Sequence, residues 1–341
     1  MLKSVLATTL NKYGRKLYGQ IWSSVVLYLW LMEHDRVSAV DGGINIVEDV
    51  EISMNDSVDW RNPKSQIPLT EQDPFRQVAW PWATLDGGLP IYGYDERRNR
   101  GESRIVDYSQ SLINNFTRTM KYKVGCACYS NGTDPLMMQG LDAICSDSNI
   151  YPLPNPEQQV PGIDRSKPEN AYWRANVFDT TEAWTLDGKT ESWDNAYLKA
   201  CKGDPQDQPD LILCTGAIFN WYNALLLKNE RYEDPKLAEA GFRNLMYKNT
   251  VVVWDGHCPG PSNSDIHSEY ASLAGESTYI LNTKYIKLRP DSLCAKKFIT
   301  KGRHEMENVD ADRILQIWEG QMTCTMPNKQ VKIANKTAPT S

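Results

Sequence analysis

The sequence predicts an α+β protein of about two units, at roughly 150 residues per domain. Three observations support this. An apolar stripe at helical spacing opens the chain, two alternating runs flank a proline-bearing tract, and residues 206–300 carry a strand, helix, strand rhythm. With 341 residues the chain has interior enough to fold without disulfide or metal staples.

From Leu2 to about His34, residues Leu6, Leu10, Tyr13, Leu17, Ile21, Val25, Leu29 and Met32 recur every three or four positions, the spacing of one helix face. Gly14 and Gly19 each cost such a helix about 1 kcal/mol relative to Ala, so a break is expected there. The densest apolar piece, Ile21 to Met32, falls short of the ~20 residues a bilayer span needs. It starts late for a secretion signal and lacks a small-residue cleavage site after it, so a buried helix is expected.

Asp41-Gly42-Gly43 marks a turn, after which Ile44, Ile46, Val50, Ile52 and Met54 fall at even spacings and predict a strand. Val78, Trp80 and Trp82 alternate ahead of a second expected turn at Asp86-Gly87-Gly88, and Pro63, Pro68 and Pro74 interrupt the polar tract between the two runs. Residues 44–85 are therefore expected to form a long two-stranded arm with an irregular tip. An isolated two-stranded ribbon is marginal in water, so an arm carrying Val and Trp must lie against something else, and another subunit fits that need.

Glu102 to Val124 predicts a helix, with Ile105, Tyr108, Leu112, Phe116 and Met120 as its stripe, Ser103 as cap, Lys121 and Lys123 late, and Gly125 closing the end. Residues 150–202, rich in Pro, Asn, Asp and Trp, predict extended segments, loops and one short helix. Leu211 to Cys214 then predicts a buried strand, and Thr215 a helix start running through Phe219, Tyr222, Leu226 and Leu227. A second helical piece is expected near Pro235 to Gly241 and a buried strand at Thr250 to Trp254. Tyr279 to Leu281 and Tyr285 to Leu288 predict two more strands joined around Asn282-Thr283. The tail reads as strands through Ile314 to Trp318, Met322, Cys324 and Met326, then, past Pro327-Asn328, Val331 and Ile333, all expected to return to the earlier domain.

Composition removes several function classes. Lys plus Arg total 37 against 43 Asp plus Glu, a net charge of -6, so there is no cationic field for tight nucleic-acid binding. The eight cysteines are scattered rather than densely spaced and are expected to be reduced thiols. Sequons at Asn55, Asn115, Asn131 and Asn335 matter only on a secretory route. Phosphate-cradling, dinucleotide-binding, zincin and nucleophile-elbow motifs do not occur. Asp255, His257 and Cys258 at the end of a strand could serve metal or catalytic chemistry, but with four histidines in all and no second cluster they read as a polar turn. Cys126-Ala-Cys128, with Cys145 as the nearby third thiol, lacks structural-zinc spacing. No catalytic residue, cofactor or metal ligand is therefore expected. Arg97, Arg98 and Arg100, flanked by acids, read as a solvated loop or a subunit salt-bridge site. Eleven Trp and 17 Tyr, being dispersed, fit interface and core better than carbohydrate stacking.

The order of elements resembles the major capsid proteins of tailed bacteriophages, which share the Hong Kong 97-like fold. Short patterns carry the likeness: Gly140-Leu141-Asp142-Ala143-Ile144, Trp173-Arg174-Ala175, Asp210-Leu-Ile-Leu, Ala240-Gly241-Phe242-Arg243-Asn244-Leu245, Val251-Val-Val-Trp-Asp255 and Tyr279-Ile-Leu-Asn282-Thr-Lys-Tyr285. The likeness spans nearly the whole chain, and the order of the patterns carries it. It implies an N-terminal arm at 1–43, an extended loop at 44–85 overlying a neighbouring subunit, and a peripheral domain at 86–205 with a spine helix at 102–124. It further implies an axial α/β domain at 206–300 and C-terminal strands at 301–341 returning to the peripheral domain.

The function implied is that of a non-enzymatic virion protein that self-assembles into hexamers and pentamers of an icosahedral head. The head would enclose double-stranded DNA, contacted non-specifically, after assembly in the host bacterial cytoplasm without a membrane. Portal, scaffold or decoration proteins would be its further partners. The expected assembly residues are Val50, Ile52, Lys64, Val78, Trp80, Trp82, Arg97, Arg98 and Arg100. Some members crosslink through a lysine on the extended loop; Lys64 sits near the tip, with no partner asparagine or assisting acid assigned. The alternatives are a secreted glycan-binding or glycan-hydrolysing protein, prompted by the Trp content and sequons, and a tail or collar component of the same particle.

Overall fold

The computed structural model describes residues 25–55, 57–66, 73–92, 94, 102–153, 162–202, 204, 206–226, 244–295, 299–305 and 310–339. In chain order the elements are α1 (Val26–Glu33), β1 (Ile46–Glu51), β2 (Phe75–Trp80), β3 (Ala83–Tyr92), α2 (Glu102–Cys128), α3 (Leu141–Ile144), β4 (Ile150–Tyr151) and β5 (Ile163–Asp164). There follow β6 (Asn176–Phe178), β7 (Glu182–Ala183), α4 (Trp193–Cys201), β8 (Leu211–Cys214), α5 (Gly216–Leu225), β9 (Asn244–Tyr247) and β10 (Thr250–Trp254). The chain ends with β11 (Glu276–Leu281), β12 (Ile286–Pro290), β13 (Ile299–Glu305), β14 (Ala311–Cys324) and β15 (Val331–Thr337). The expected helical piece at 235–241 lies outside the described residues. Two units are present.

One unit comprises the described residues up to Ile44, Trp82–Gly140 and Lys287–Met322. Its axis is β14, which pairs antiparallel with β13 and, along Ala311 to Gly320, with β3. The expected turn at Asp86-Gly87-Gly88 is instead the middle of β3. A side chain at Gly87 would stand 2.5 Å from the Phe116 ring of α2, so the glycine serves the close approach of a helix to a strand. Helix α2 runs past Gly125 to Cys128, and a Cβ on Gly140 would sit 2.3 Å from the Ser130 nitrogen, so the chain after the helix closes down on its last turn. Val26 to Leu31 of α1 are all buried, and Arg36 to Val40 then add to β12 through Leu288 N–H to Arg36 O (3.0 Å) and Ser38 N–H to Leu288 O (3.0 Å). Among the described residues no helix is long and apolar enough to cross a membrane.

The other unit comprises Asn45–Pro81, Leu141–Ile286 and the described residues from Thr323 onward. Its seven-stranded sheet runs β6-β15-β11-β8-β10-β9, with β7 also on β15. Strands β8 and β10 are parallel, with α5 in the crossover between them, and both read as unbroken apolar runs because nearly every side chain is buried. Trp184, Trp193, Tyr222, Tyr247, Val252, Ile280 and Ile333 fill the core. The Tyr279 and Tyr285 strands do not pair with each other: β11 lies in this sheet, whereas β12 borders β14. The last strand, β15, lies between β6 and β11, while β14 before it pairs with β3.

Several charged groups buried in this unit are paired. Arg165, with no exposed surface, donates from Nη1 to Ile144 O at the end of α3 (2.7 Å) and from Nε to Asn149 Oδ1 (3.0 Å). Burial pulls its guanidinium down to about 10, so it stays charged at neutral pH. Lys332 Nζ meets Asp142 Oδ1 at 2.9 Å, and Lys329 Nζ meets Asp207 Oδ2 at 3.0 Å. Lys336 pairs with Glu191.

Candidate assembly surface

The alternation in β1 and β2 makes a two-faced ribbon, since successive side chains point to opposite sides. The register is antiparallel, with Ile46 opposite Trp80, Glu48 opposite Val78 and Glu51 opposite Phe75. One face is the chain's own: Ile46, Val50, Val78 and Trp80 are all buried. Trp80 stands edge-on to Tyr151, ring centroids 6.2 Å apart, and Arg165 lies 5.0 Å from the other partner of that stack, the Tyr151 ring centre. The hydroxyl of Tyr172 donates to Glu51 Oε1 at 3.3 Å, fixing the outer end of β1 to the same unit.

The opposite face and the tip are apolar and exposed. Val47 (50%), Met54 (65%), Val58 (82%), Phe75 (61%) and Trp60 (100%) show large surfaces to solvent. Local hydrogen bonds shape this tip. Asn55 Oδ1 accepts from Ser57 N–H (2.9 Å), Asn62 Oδ1 accepts from Lys64 N–H (3.0 Å), and Arg61 Nη1 donates to Ser65 O (2.6 Å). These are the side-chain turns that Asn and Ser favour.

The expected assembly residues thus separate. Val50, Val78 and Trp80 are covered by their own chain, Ile52 is half-buried, and Lys64 is exposed at the tip. Trp82 is half-buried and donates its indole N–H to Gly43 O at 3.0 Å. Arg97, Arg98 and Arg100 lie outside the described residues. The exposed apolar residues on this face and tip that were not among the expected assembly residues are Val47, Met54, Val58, Trp60 and Phe75. For Val58 and Trp60, an apolar pair inside an otherwise polar tract was the available signal.

The turn at Asp255 to Cys258 also takes shape. Cys258 is fully buried, donates its thiol toward Ser277 O (3.5 Å), and burial pushes its pKa up, so it is a protonated, inert thiol. Asp255 Oδ1 accepts from His257 N–H at 2.9 Å. His257 Nδ1 in turn lies 2.8 Å from Nε2 of His267, a residue the sequence reading did not connect with it. Burial depresses both imidazole pKa values and keeps both rings neutral at pH 7.

The sequence matches no family model and no curated protein. Solved structures do match. The chain is similar to the capsid asymmetric unit of cyanophage A-1(L), at 14% identity over 89% of this chain and 90% of that one, with a TM-score of 0.61. It is similar to the capsid of a native GTA particle, at 7% identity over 89% of each chain and a TM-score of 0.54. It is also similar to the SrpI encapsulin of Synechococcus elongatus, at 8% identity over 92% of this chain and 90% of that one, with a TM-score of 0.51. The chain therefore has the Hong Kong 97-like fold.

Proposed function

We propose that the chain is a capsid subunit that self-assembles into the hexamers and pentamers of an icosahedral bacteriophage head around double-stranded DNA. One observation carries the reading: the fold of a phage capsid subunit extends over about nine-tenths of both chains. In this reading the ribbon is the extended loop, and its exposed face and tip overlie a neighbouring copy. Such an interface must be large and repeated, in the 2,000–5,000 Å² class or beyond, and an outstretched apolar ribbon supplies area without enlarging the body. Ile52 and Lys64 fall at the junction and tip of that surface, and Trp82 at its root. In this reading the subunit acts by surface complementarity rather than by catalysis.

A net charge of -6 suits a container, because a strongly cationic wall would hold the genome at many points and resist its packing and release. Trp173, Trp184 and Trp193 are all buried, so none of the three offers a glycan-stacking surface. Portal, scaffold or decoration proteins are its candidate further partners, and its place is the virion, with assembly in the host bacterial cytoplasm.

The test is electron microscopy of the expressed chain, with and without products of neighbouring genes, beside a variant in which residues 53–73 are replaced by Gly-Gly. Glu51 and Phe75 already face each other, so the shortened hairpin can close. Closed shells from the wild type and folded, unassembled subunits from the variant are expected. Shells from the shortened chain, or wild-type subunits that stay dispersed under every condition, would overturn the reading.

A further inference from the structure

We propose that His257 and His267 bind one divalent transition-metal ion of the imidazole-preferring class, Zn²⁺ or Ni²⁺, between His257 Nδ1 and His267 Nε2. The inference stands apart from the shell-forming role and uses none of the ribbon. The two nitrogens face each other at 2.8 Å with the ring planes at 65°. Two imidazole ligands 2.0–2.1 Å from a tetrahedral ion stand about 3.3 Å apart, so the pair must open by only about 0.5 Å. The half-buried His257 ring can supply that by a small rotation.

The surroundings fix both rings as ligand shells do. Glu269 Oε1 lies 3.6 Å from His267 Nδ1, on the side away from His257. A carboxylate behind a histidine places the proton on Nδ1, leaves the Nε2 lone pair pointing at the ion and raises the basicity of the ligand. Tyr270 stacks on His267, ring centroids 4.6 Å apart, and its hydroxyl donates to His257 O at 3.2 Å. Asn263 Nδ2 donates to both Asp255 O (3.0 Å) and Cys258 O (2.8 Å), and His267 N–H donates to Asn263 O (3.1 Å), so one asparagine ties the two ends of the loop together. Asp255 and Glu269 supply the negative charge that a divalent ion needs. In the ion-free state one proton is shared between His257 Nδ1 and His267 Nε2; on binding it moves to His257 Nε2, so both rings stay neutral. The ion would clip the loop between β10 and β11 across the ten-position separation of His257 and His267.

The experiment is calorimetric titration of the full-length chain with ZnCl₂ and with NiCl₂. One ion per chain is expected, lost in both His257→Ala and His267→Gln and kept in the His34→Ala/His304→Ala double variant, which removes the other two histidines. Glu269→Gln should weaken binding by about 10–100-fold while leaving the stoichiometry at one, an effect that a purely structural carboxylate would not produce. If His267→Gln misfolds, His257→Ala decides alone, because its ring is half-buried and its fold can be checked by near-ultraviolet dichroism. No binding by the wild type at ~1 mM ion, or one-to-one binding that survives His257→Ala, overturns the site.

Discussion

Trp80→Ala separates two ways in which the ribbon can be stabilised. The side chain has no exposed surface, stands edge-on to Tyr151 and lies across the ribbon from the buried Ile46. Removing a buried Trp costs about 3–5 kcal/mol. The edge-to-face Tyr151 pair supplies about 0.5–1.5 kcal/mol of that beyond area burial. In a unit of this size each kcal/mol moves Tm by about 2–4 °C, so the dispersed subunit should melt about 6–20 °C lower. Thermal dichroism on unassembled subunits reads the stability, and light scattering reads assembly. Trp60→Ala is the control: its ring is wholly exposed, so the melt should hold within about 0.5 kcal/mol while assembly weakens. If Trp80→Ala subunits melt like wild type and lose assembly alone, Trp80 is packed by a neighbouring copy and the packing described here is refuted.

Lys336→Met should destabilise the subunit by about 3–5 kcal/mol in urea titration, because it strands the Glu191 carboxylate beside a nearly buried partner position. Acid should act on the same pair. Burial alone would raise the Glu191 pKa, but Lys336 and Thr180 outweigh it and hold the carboxyl below its ordinary range; Asp207 is held down likewise, against burial, by Tyr285, Lys329 and Asn282. Both pKa values are depressed in the folded state, so their contribution is complete above about pH 5 and is lost as pH falls through the folded values; Glu191→Gln should flatten that limb of a stability-against-pH curve. Gly140→Ala drives a Cβ to within 2.5 Å of both Ser130 N and Ala127 O, backbone atoms that cannot swing aside, so about 1–3 kcal/mol or more should disappear from the unfolding free energy.

What was legible in the sequence was whatever local spacing dictates. Leu211 to Cys214 and Thr250 to Trp254 are apolar because both their faces are covered, and both strands fall where the runs do. The helix stripe from Glu102 located α2, and the even spacings around Val50 and Trp80 located the ribbon. The failures are long-range. Asp86-Gly87-Gly88 has turn composition, yet Gly87 is there for Phe116, a side chain on another element. Asn282-Thr283 looks like a hairpin turn, but Asp210 accepts from Thr283 N–H (2.8 Å) and Gln330 Oε1 accepts from Asn282 N–H (2.9 Å), so the segment is tied to two distant stretches instead. Alternation likewise separated the two faces of the ribbon without saying which one its own chain covers, and nothing in the spacing of His257 and His267 announced that a loop folds them together.

Under the proposed reading, the two faces of the ribbon also account for how a long arm is recruited cheaply. Fixing backbone costs about 1–2 kcal/mol per residue, so an arm disordered along its whole length would cancel much of what its contact with a neighbour gained. Here the strands are already packed through Trp80, Val78 and Val50 on the body of the same chain, so under the proposed reading they carry little ordering cost on docking. Shortening the tip and unpinning the root should therefore fail differently. The first leaves a stable subunit without its contact area. The second leaves the contact area intact but adds the ordering cost of the strands to each docking event, so assembly by Trp80→Ala should recover at higher subunit concentration, whereas assembly by the shortened chain should not.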